Sequence, residues 1–245
     1  MIEWLHAFVD VPGPEVETAQ RFWAAAAGAS VTAPWPDHPE FVSLRPADGS
    51  PYLHVQRIDG PSRVHVDLAV GDVDAEGRRL ASLGASFVQR FAWWQVMASP
   101  GGLPFCLVED PDRVRPGPVT WPDGHRSRLT GVCLDIPETL HGTETSFWRA
   151  ATGWTLETGR LPEFAFLRPP RTSALYLLLQ RLGEDDPRDA TSAHLDLGTD
   201  DIPAEVRRVV SLGATPLEPP VERGRWVVLS DPAGLPFCVT QQPPD

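Results

Sequence analysis

The stretch Arg63–Leu68, which reads RVHVDL, decides the fold because a close relative, AHLDL, recurs at Ala193–Leu197. In both places an acidic turn, a segment carrying Arg-Arg and the sequence Ser-Leu-Gly-Ala follow in the same order. Side chains alternate between the two faces of a strand, so His65 and Asp67 share one face. A histidine and a carboxylate on one face of an otherwise apolar strand indicate a polar partner or a cavity.

Other segments repeat in the same order along the chain. VDVP at Val9–Pro12 matches LDIP at Leu134–Pro137, and GLPFC occurs at both Gly102–Cys106 and Gly234–Cys238. An ordered set of matches indicates an internal duplication. The region between the copies is rich in Pro, Gly and charge, which is typical of a linker. We therefore predict domain 1 at residues 1–110, a linker at 111–128 and domain 2 at 129–245.

Local patterns predict a β-α-β-β(-β) unit twice in each copy. Helices are expected where apolar residues recur at helical spacing and a glycine follows, and strands where β-formers lie between turn residues. The Arg-Arg pairs at 78–79 and 207–208 are predicted to lie on solvated helix faces. The elements predicted for the first copy are strands Trp4–Val11, Phe41–Leu44, Tyr52–Arg57, Val64–Val70, Trp93–Ala98 and Phe105–Val108, and helices Glu15–Ala27 and Asp74–Leu83.

Composition and charge exclude several classes of function. A net charge of −12 over 245 residues repels phosphate backbones and anionic membranes, so we expect neither nucleic acid nor membrane as a partner. No apolar run approaches the roughly 18 residues that span a bilayer, and the N-terminus lacks the pattern of a secretory signal. Three scattered cysteines do not make a disulfide framework. We expect a cytoplasmic protein.

These motifs resemble those of the vicinal oxygen chelate superfamily, which includes glyoxalase-like, bleomycin-resistance and dioxygenase proteins. The resemblance implies an α+β fold with a duplicated glyoxalase-like architecture, in which four βαβββ modules pair into two cup-shaped curved sheets. Each cup is then expected to hold a small organic molecule. The residues that carry the resemblance, with their twins, are Val9–Pro12, Arg21–Trp23, His65–Leu68, Leu83–Ala85, Asp231–Gly234 and Pro236–Cys238.

The resemblance also implies where a metal would bind. Metal-dependent members carry ligands on the first and last strands of each module, and the glutamate usual on the final strand is absent from both copies. A divalent ion (Zn, Fe, Ni or Mn) is therefore expected only in domain 1, with imidazole and thiolate favouring Zn²⁺. The alternative is a packing role for the cysteine, which recurs in domain 2. The matching positions are His6, His54 or Gln56, His65 and Cys106 in domain 1, and Gly131, Leu178 or Gln180, His194 and Cys238 in domain 2.

Residues expected to contact an organic ligand are the polar and aromatic positions on the walls of the two cups. Among them His65 is the candidate general base, held by Asp67, although a purely structural hydrogen bond between the two is equally compatible with the pattern. The acidic positions on the opening strands have their own alternative, a role near the next helix N-terminus. The set comprises Asp10, Gln56, His65, Asp67, Trp94, Asp135, Gln180, His194, Asp196 and Trp226.

The sequence is compatible with three functions. The first is a small-molecule-binding protein similar to bleomycin-resistance proteins, in which an aromatic, acidic cup suits a cationic or polyhydroxylated ligand. The second is a metal-dependent enzyme (a lyase, isomerase or dioxygenase) with one active cup in domain 1. The third is a non-catalytic scaffold or regulatory protein. We expect a monomeric pseudo-dimer or a homodimer.

Overall fold

The computed structural model of the protein describes residues 2–110, 113–217 and 225–245. The fold is α+β, as predicted, with two open mixed sheets and four α-helices in the described part of the chain. The first two residues of the predicted linker, Pro111 and Asp112, lie outside the described residues. None of the described helices is long and apolar enough to cross a membrane.

The first sheet is built from the first copy and has the strand order β2-β3-β4-β1-β5-β8-β7-β6. Helix α1, Val16–Ala26, follows β1, and helix α2, Val73–Ser82, follows β5. The acidic turn before α2 supplies the helix cap, because the Asp72 carboxylate accepts a hydrogen bond from the backbone of Ala75. The strands are β1 Leu5–Pro12, β2 Ser30–Val31, β3 Phe41–Arg45, β4 Leu53–Ile58, β5 Arg63–Val70, β6 Ser86–Arg90, β7 Trp94–Ala98 and β8 Pro104–Glu109.

The second sheet repeats this order as β11-β12-β13-β10-β14-β17-β16-β15, with β9 paired to β10. Helices α3, His141–Thr152, and α4, Ile202–Ser211, occupy the positions of α1 and α2 in the chain order. The strands are β9 Val119–Thr120, β10 Arg126–Ile136, β11 Thr155–Thr158, β12 Phe164–Arg168, β13 Tyr176–Arg181, β14 Ser192–Thr199, β15 Thr215–Pro216, β16 Trp226–Ser230 and β17 Pro236–Thr240.

Two strands of the first sheet were missing from the sequence prediction. Strand β2 has two residues, and all five residues of β6 are exposed. Periodicity identifies a strand by an alternation of buried and exposed side chains, and neither strand has one. Both are edge strands, which pair on one side only.

Strand β8 pairs with β5 in parallel and with β7 antiparallel. The parallel pairing determines which polar residues of β5 and β8 lie side by side. Asp67 lies opposite Cys106 in this register. In the second sheet β14 and β17 are also parallel, with Asp196 opposite Cys238. Residues opposite each other on paired strands project to the same face, so each acidic residue has a thiol beside it.

Each of the two compact units contains segments of both copies. Unit 1 comprises 1–7, 65–114 and 132–193, and unit 2 comprises 8–64, 115–131 and 194–245. Within unit 1, Trp148 of α3 packs edge-on against Phe105 of β8, with ring centroids 5.4 Å apart. Within unit 2, Trp23 of α1 packs in the same way against Phe237, at 5.2 Å. Each core therefore joins a helix of one copy to a strand of the other.

A buried carboxylate accepts the indole hydrogen bond of each core tryptophan. In unit 2, Trp23 Nε1 donates to Asp231 Oδ2 at 2.8 Å. In unit 1, Trp148 Nε1 donates to Glu144 Oε2 at 3.0 Å, and Ser99 Oγ donates to the same oxygen at 3.0 Å. The acceptor for the indole N–H thus lies in a turn in unit 2 and on the tryptophan's own helix in unit 1.

The second arginine of each Arg-Arg pair does not lie on a simply solvated face. Arg79 donates to the backbone oxygens of Ala150 and Ala151, and Arg208 donates to those of Ala25 and Ala26. Each guanidinium therefore caps the C-terminal end of a helix from the other copy, where orphan carbonyls and the helix dipole favour a cation. The prediction of solvated faces was wrong for these two residues because the neighbouring helix is remote in sequence.

Candidate metal centre

Three predicted residues meet in unit 1. His65 Nε2 lies 3.4 Å from Asp67 Oδ1, and the Cys106 thiol belongs to the same group, in which all donor atoms lie within 4.8 Å of one another. The three residues are 6, 6 and 8% exposed. Strand alternation brings the histidine and the carboxylate to one face, and the parallel register of β5 and β8 adds the thiol. We refer to His65, Asp67 and Cys106 as trio 1.

The same three residue types meet again in unit 2. His194 Nε2 lies 3.4 Å from Cys238 Sγ and 3.8 Å from Asp196 Oδ1. These donor atoms also lie within 4.8 Å of one another. We refer to His194, Asp196 and Cys238 as trio 2. The metal-ligand prediction for the second copy counted only the positions implied by the resemblance, and the aspartate two residues after the histidine was not among them.

The electrostatics of trio 1 keep its thiol protonated when no cation is present. Burial raises the pKa of Cys106 to about 12, and the charge of Asp67 adds to the rise, whereas hydrogen bonding to His65 lowers it. A thiolate is the form that binds metal, and a nearby cation favours it. Binding of a metal at trio 1 would therefore release a proton.

The donor chemistry of both trios suits a divalent transition metal. Imidazole nitrogen, carboxylate oxygen and thiolate sulfur are all zinc donors, and thiolate disfavours Mg²⁺ and Ca²⁺. Three protein donors also match the number found in catalytic zinc sites, in which a fourth position stays open. The residues present therefore fit the ion that the resemblance implied.

Two other predicted ligands of domain 1, His6 and His54, have different neighbours. His6 Nε2 lies 2.8 Å from Asp110 Oδ2, and Arg113 pairs with the same carboxylate. Burial raises the pKa of Asp110, but its contacts with His6 and Arg113 outweigh burial and lower it. His54 Nδ1 lies 3.0 Å from Ser43 Oγ. Neither histidine is in a group of metal-binding geometry among the described residues.

The His54 ring lies in an aromatic cluster of unit 2. It stacks on Phe8 with ring centroids 4.6 Å apart and meets Trp35 edge-on at 5.5 Å. Trp35 in turn stacks on Phe41 at 5.1 Å and donates from its indole nitrogen to Ser43 Oγ. We refer to Phe8, Trp35, Phe41 and His54 as the aromatic cluster. Trp35 was not among the predicted ligand residues, because it lies between two prolines outside the predicted strands.

Both acidic residues of the opening strands have an arginine partner. Asp10 is fully buried and accepts a hydrogen bond from Arg63 Nε at 2.8 Å. Asp135 accepts one from Arg188 Nη1 at 3.2 Å. Their negative charge is therefore compensated within the protein, which weakens the expectation that they attract a cationic ligand. The arginines lie 53 residues away in each case, beyond the reach of local sequence patterns.

The remaining predicted ligand residues lie on strands of both sheets. Gln56 lies on β4, opposite Phe41 of β3. Gln180 lies on β13 and accepts a hydrogen bond from Cys133 Sγ at 3.5 Å. Trp94 begins β7 and stacks on Phe91 at 4.5 Å. Trp226 begins β16 opposite Thr240. The half-exposed faces of both tryptophans remain candidates for ligand contact.

The chain belongs to the glyoxalase-like domain family. The family profile matches it twice, over residues 6–108 and 131–240, which confirms the predicted duplication and the predicted family. No curated protein sequence matches the chain.

Solved structures of the same fold include several dioxygenases. The 2,2′,3-trihydroxybiphenyl 1,2-dioxygenase from Sphingomonas wittichii is 15% identical, with a TM-score of 0.65 over 98% of this chain and 90% of that one. A mutant 4-hydroxymandelate synthase from Streptomyces coelicolor is 17% identical, with a TM-score of 0.62 over 98% and 92%. Homoprotocatechuate 2,3-dioxygenase from Arthrobacter globiformis is 13% identical, with a TM-score of 0.61 over 97% and 78%. At these identities the similarity shows a common fold.

Proposed function

We propose that the protein is a metal-dependent enzyme that acts on a small organic molecule, in the lyase, isomerase or dioxygenase class. The observation that carries this proposal is trio 1, whose three donors lie within 4.8 Å of one another. Membership of the glyoxalase-like domain family supports it. The names of the structures with similar fold suggest hydroxylated aromatic compounds as the first substrates to test.

Each residue of trio 1 would supply one metal ligand. His65 would bind the metal through a neutral ring nitrogen, Asp67 through a carboxylate oxygen, and Cys106 as a thiolate after losing its proton. Together they would hold a metal that would supply Lewis-acid chemistry toward a substrate oxygen. The low exposure of the three side chains limits the access of bulk water, which strengthens electrostatic interactions at the site.

The test is elemental analysis of the purified protein and of single variants. We expect His65→Ala, Asp67→Asn and Cys106→Ser each to lose about one equivalent of Zn, Fe, Ni or Mn relative to the parent protein. His141→Ala is the matched control, since this histidine belongs to neither trio. Metal content that is unchanged in all three trio 1 variants would contradict the proposal. His194→Ala reports separately on trio 2.

A second candidate function, ligand binding without catalysis, is favoured by the aromatic cluster. Phe8, Phe41 and His54 are buried and Trp35 is part-buried, so an aromatic or cationic molecule would stack on the accessible part of the Trp35 ring. We expect Trp35→Leu to weaken any such binding at least about tenfold in a tryptophan-quenching titration, because one face of the site is lost. Trp93→Leu is the control, since Trp93 is 74% exposed. Equal affinity in both variants would exclude this site.

We further propose the cytoplasmic location that the sequence predicts. The observation that supports it is that none of the three cysteines, all of them buried, forms a disulfide. The boundaries of the two domains and the oligomeric state stay predictions.

A further inference from the structure

The face of the sheet that carries trio 1 continues past the trio, within unit 1, to an aromatic side chain. In the pairing of β7 with β8, Val96 lies opposite Cys106. Two residues further along each strand, Trp94 lies opposite Val108. Paired residues project to one face, and so do residues two apart on a strand. Trp94 therefore lies on the same face as the three potential metal ligands.

Helix α2 covers the opposite face of β7 and leaves this face accessible. Along β7 the half-exposed residues Trp94 and Val96 alternate with the buried residues Gln95 and Met97. The Gln95 side chain lies against Gly77 of α2, on the packed side of the sheet. A ligand can therefore approach the part of the Trp94 ring that is exposed on the side of trio 1.

Contacts in the turn between β6 and β7 hold the Trp94 ring in place. The indole stacks on the ring of Phe91, with centroids 4.5 Å apart and an angle of 15° between the planes. Arg90 donates hydrogen bonds to the backbone oxygens of both residues, and its charge is compensated by Asp74 at 2.9 Å. We refer to Phe91 and Trp94 as the stacked pair. Because its rings are already ordered, a ligand that binds there loses little free energy in ordering them.

The surface between trio 1 and the stacked pair is apolar. It consists of Val96, Val108 and Ala69, which lies opposite Val108 in the pairing of β5 with β8. All three side chains are half-exposed. With strands about 4.8 Å apart and residues about 3.4 Å apart along each strand, the Cα atoms of Cys106 and Trp94 are about 8 Å apart. A small molecule with one end at trio 1 can therefore reach the stacked pair with its other end.

The charges around this surface favour an uncharged ligand. A divalent ion bound by the Asp67 carboxylate and the Cys106 thiolate has its charge balanced by these two ligands. Ala69, Val96 and Val108 offer no positive charge to an anionic group at the far end of the ligand. The net charge of −12 also repels anions, and an unpaired charge against an apolar surface is unfavourable.

We propose that the stacked pair is the subsite for an uncharged aromatic ring of the substrate, whose oxygen atoms reach the metal at trio 1. The inference rests on the proposed function, because trio 1 must hold a metal for the substrate to be placed in this way. A flat ring can stack on the accessible part of the Trp94 indole, which adds to the free energy gained from burying apolar surface. Trp94 is then a specificity-determining residue, since it contacts the outer ring and not the reacting atoms.

Calorimetric titration of the zinc-loaded protein with hydroxamates, which offer two oxygens to a metal, tests the subsite. We expect a benzohydroxamate that carries a second phenyl ring to bind at least about tenfold more tightly than acetohydroxamate, which has no ring. In Trp94→Leu this preference should fall about fivefold to tenfold, with unchanged metal content and unchanged affinity for acetohydroxamate. Trp93→Leu is the matched control, because Trp93 is 74% exposed and precedes β7. A preference that is retained in Trp94→Leu, or lost equally in Trp93→Leu, would overturn the proposal.

A second measurement uses only the parent protein, so it does not depend on the folding of a variant. The two-ring hydroxamate with a carboxylate on its outer ring should bind at least about tenfold more weakly than the uncharged compound. Equal or tighter binding of the carboxylate would contradict an uncharged subsite. The proposed function itself fails if the protein retains no metal and does not bind acetohydroxamate. The subsite alone fails if both bind and the second ring adds nothing.

Discussion

Asp67 stands directly opposite Cys106 in the parallel pairing of β5 with β8, and both side chains lie beside His65. The carboxylate charge therefore adds to the rise in the pKa of the thiol. Trio 2 has the same arrangement, with Asp196 opposite Cys238. This pairing turns a repeated strand motif into a cluster of three potential metal donors.

In metal-free protein, Asp67→Asn should lower the pKa of Cys106 from its value of about 12, because the carboxylate contributes to the rise. The pKa should stay above that of a free thiol, since burial is the larger cause and remains. Thiolate absorbance followed as a function of pH, in a Cys133→Ser and Cys238→Ser background, measures it. An unchanged midpoint would mean that Asp67 does not influence the thiol.

Replacing Trp23 by Phe should destabilise the protein by about 1–3 kcal/mol, because the buried Asp231 carboxylate loses the hydrogen bond from the indole N–H. Trp148→Phe should have a cost of the same order through Glu144. Urea unfolding of the two single variants provides the comparison. If either substitution left the free energy of unfolding unchanged, the hydrogen bond concerned would contribute nothing to stability.

Arg208→Ala should be more costly than Arg79→Ala. Loss of Arg208 leaves the fully buried Glu205 without its guanidinium partner, a change that typically costs about 3–5 kcal/mol. Arg79 is 39% exposed and its partner Glu76 is 21% exposed, so solvent screens that pair and the expected loss is about 1 kcal/mol. Chemical denaturation of both variants at neutral pH tests the order. Equal losses would contradict the difference in burial.

Gly28→Ala should be more destabilising than Gly124→Ala, although both glycines have positive φ angles, +62° and +93°. Each substitution introduces backbone strain of about 1–2 kcal/mol. A Cβ at position 28 would also lie 2.7 Å from Val119 Cγ2, whereas nothing lies within 4 Å of one at position 124. The additional loss in Gly28→Ala should appear as reduced protection of residues 119–121 from hydrogen exchange, since Val119 and Trp121 pack against Gly28. Equal free energies of unfolding would argue against close packing at Val119.

The duplication and the α+β class could be predicted from the sequence because both depend on patterns that survive in order along the chain. Helix α1 and strand β5 were predicted to within one residue at each end, since each carries an apolar face and a turn signal. Strand β6 was missed because all five of its residues are exposed, so the sequence offers no alternation.

The site could be predicted only in part, because several of its residues lie far apart in the sequence. The shared face of His65 and Asp67 follows from strand periodicity alone. The position of Cys106 beside them could not be predicted, because it depends on the parallel pairing of β5 with β8. Asp67 and Cys106 are 39 residues apart in the sequence. Similarly, Arg63 near Asp10 and Asp110 near His6 are partners that only the folded chain brings together. Local patterns fix which side chains share a strand face, and tertiary pairing decides what stands beside them.

The interleaving of the two copies has a consequence for how such a protein assembles. Unit 1 and unit 2 each take segments from both halves of the sequence, so neither half contains all the residues of a unit. As separate polypeptides the halves would have to find each other in solution, and the stability of both units would depend on their concentration. The covalent connection between the two copies replaces that encounter with an intramolecular step at a high effective concentration. The folding of both units is therefore independent of the protein concentration.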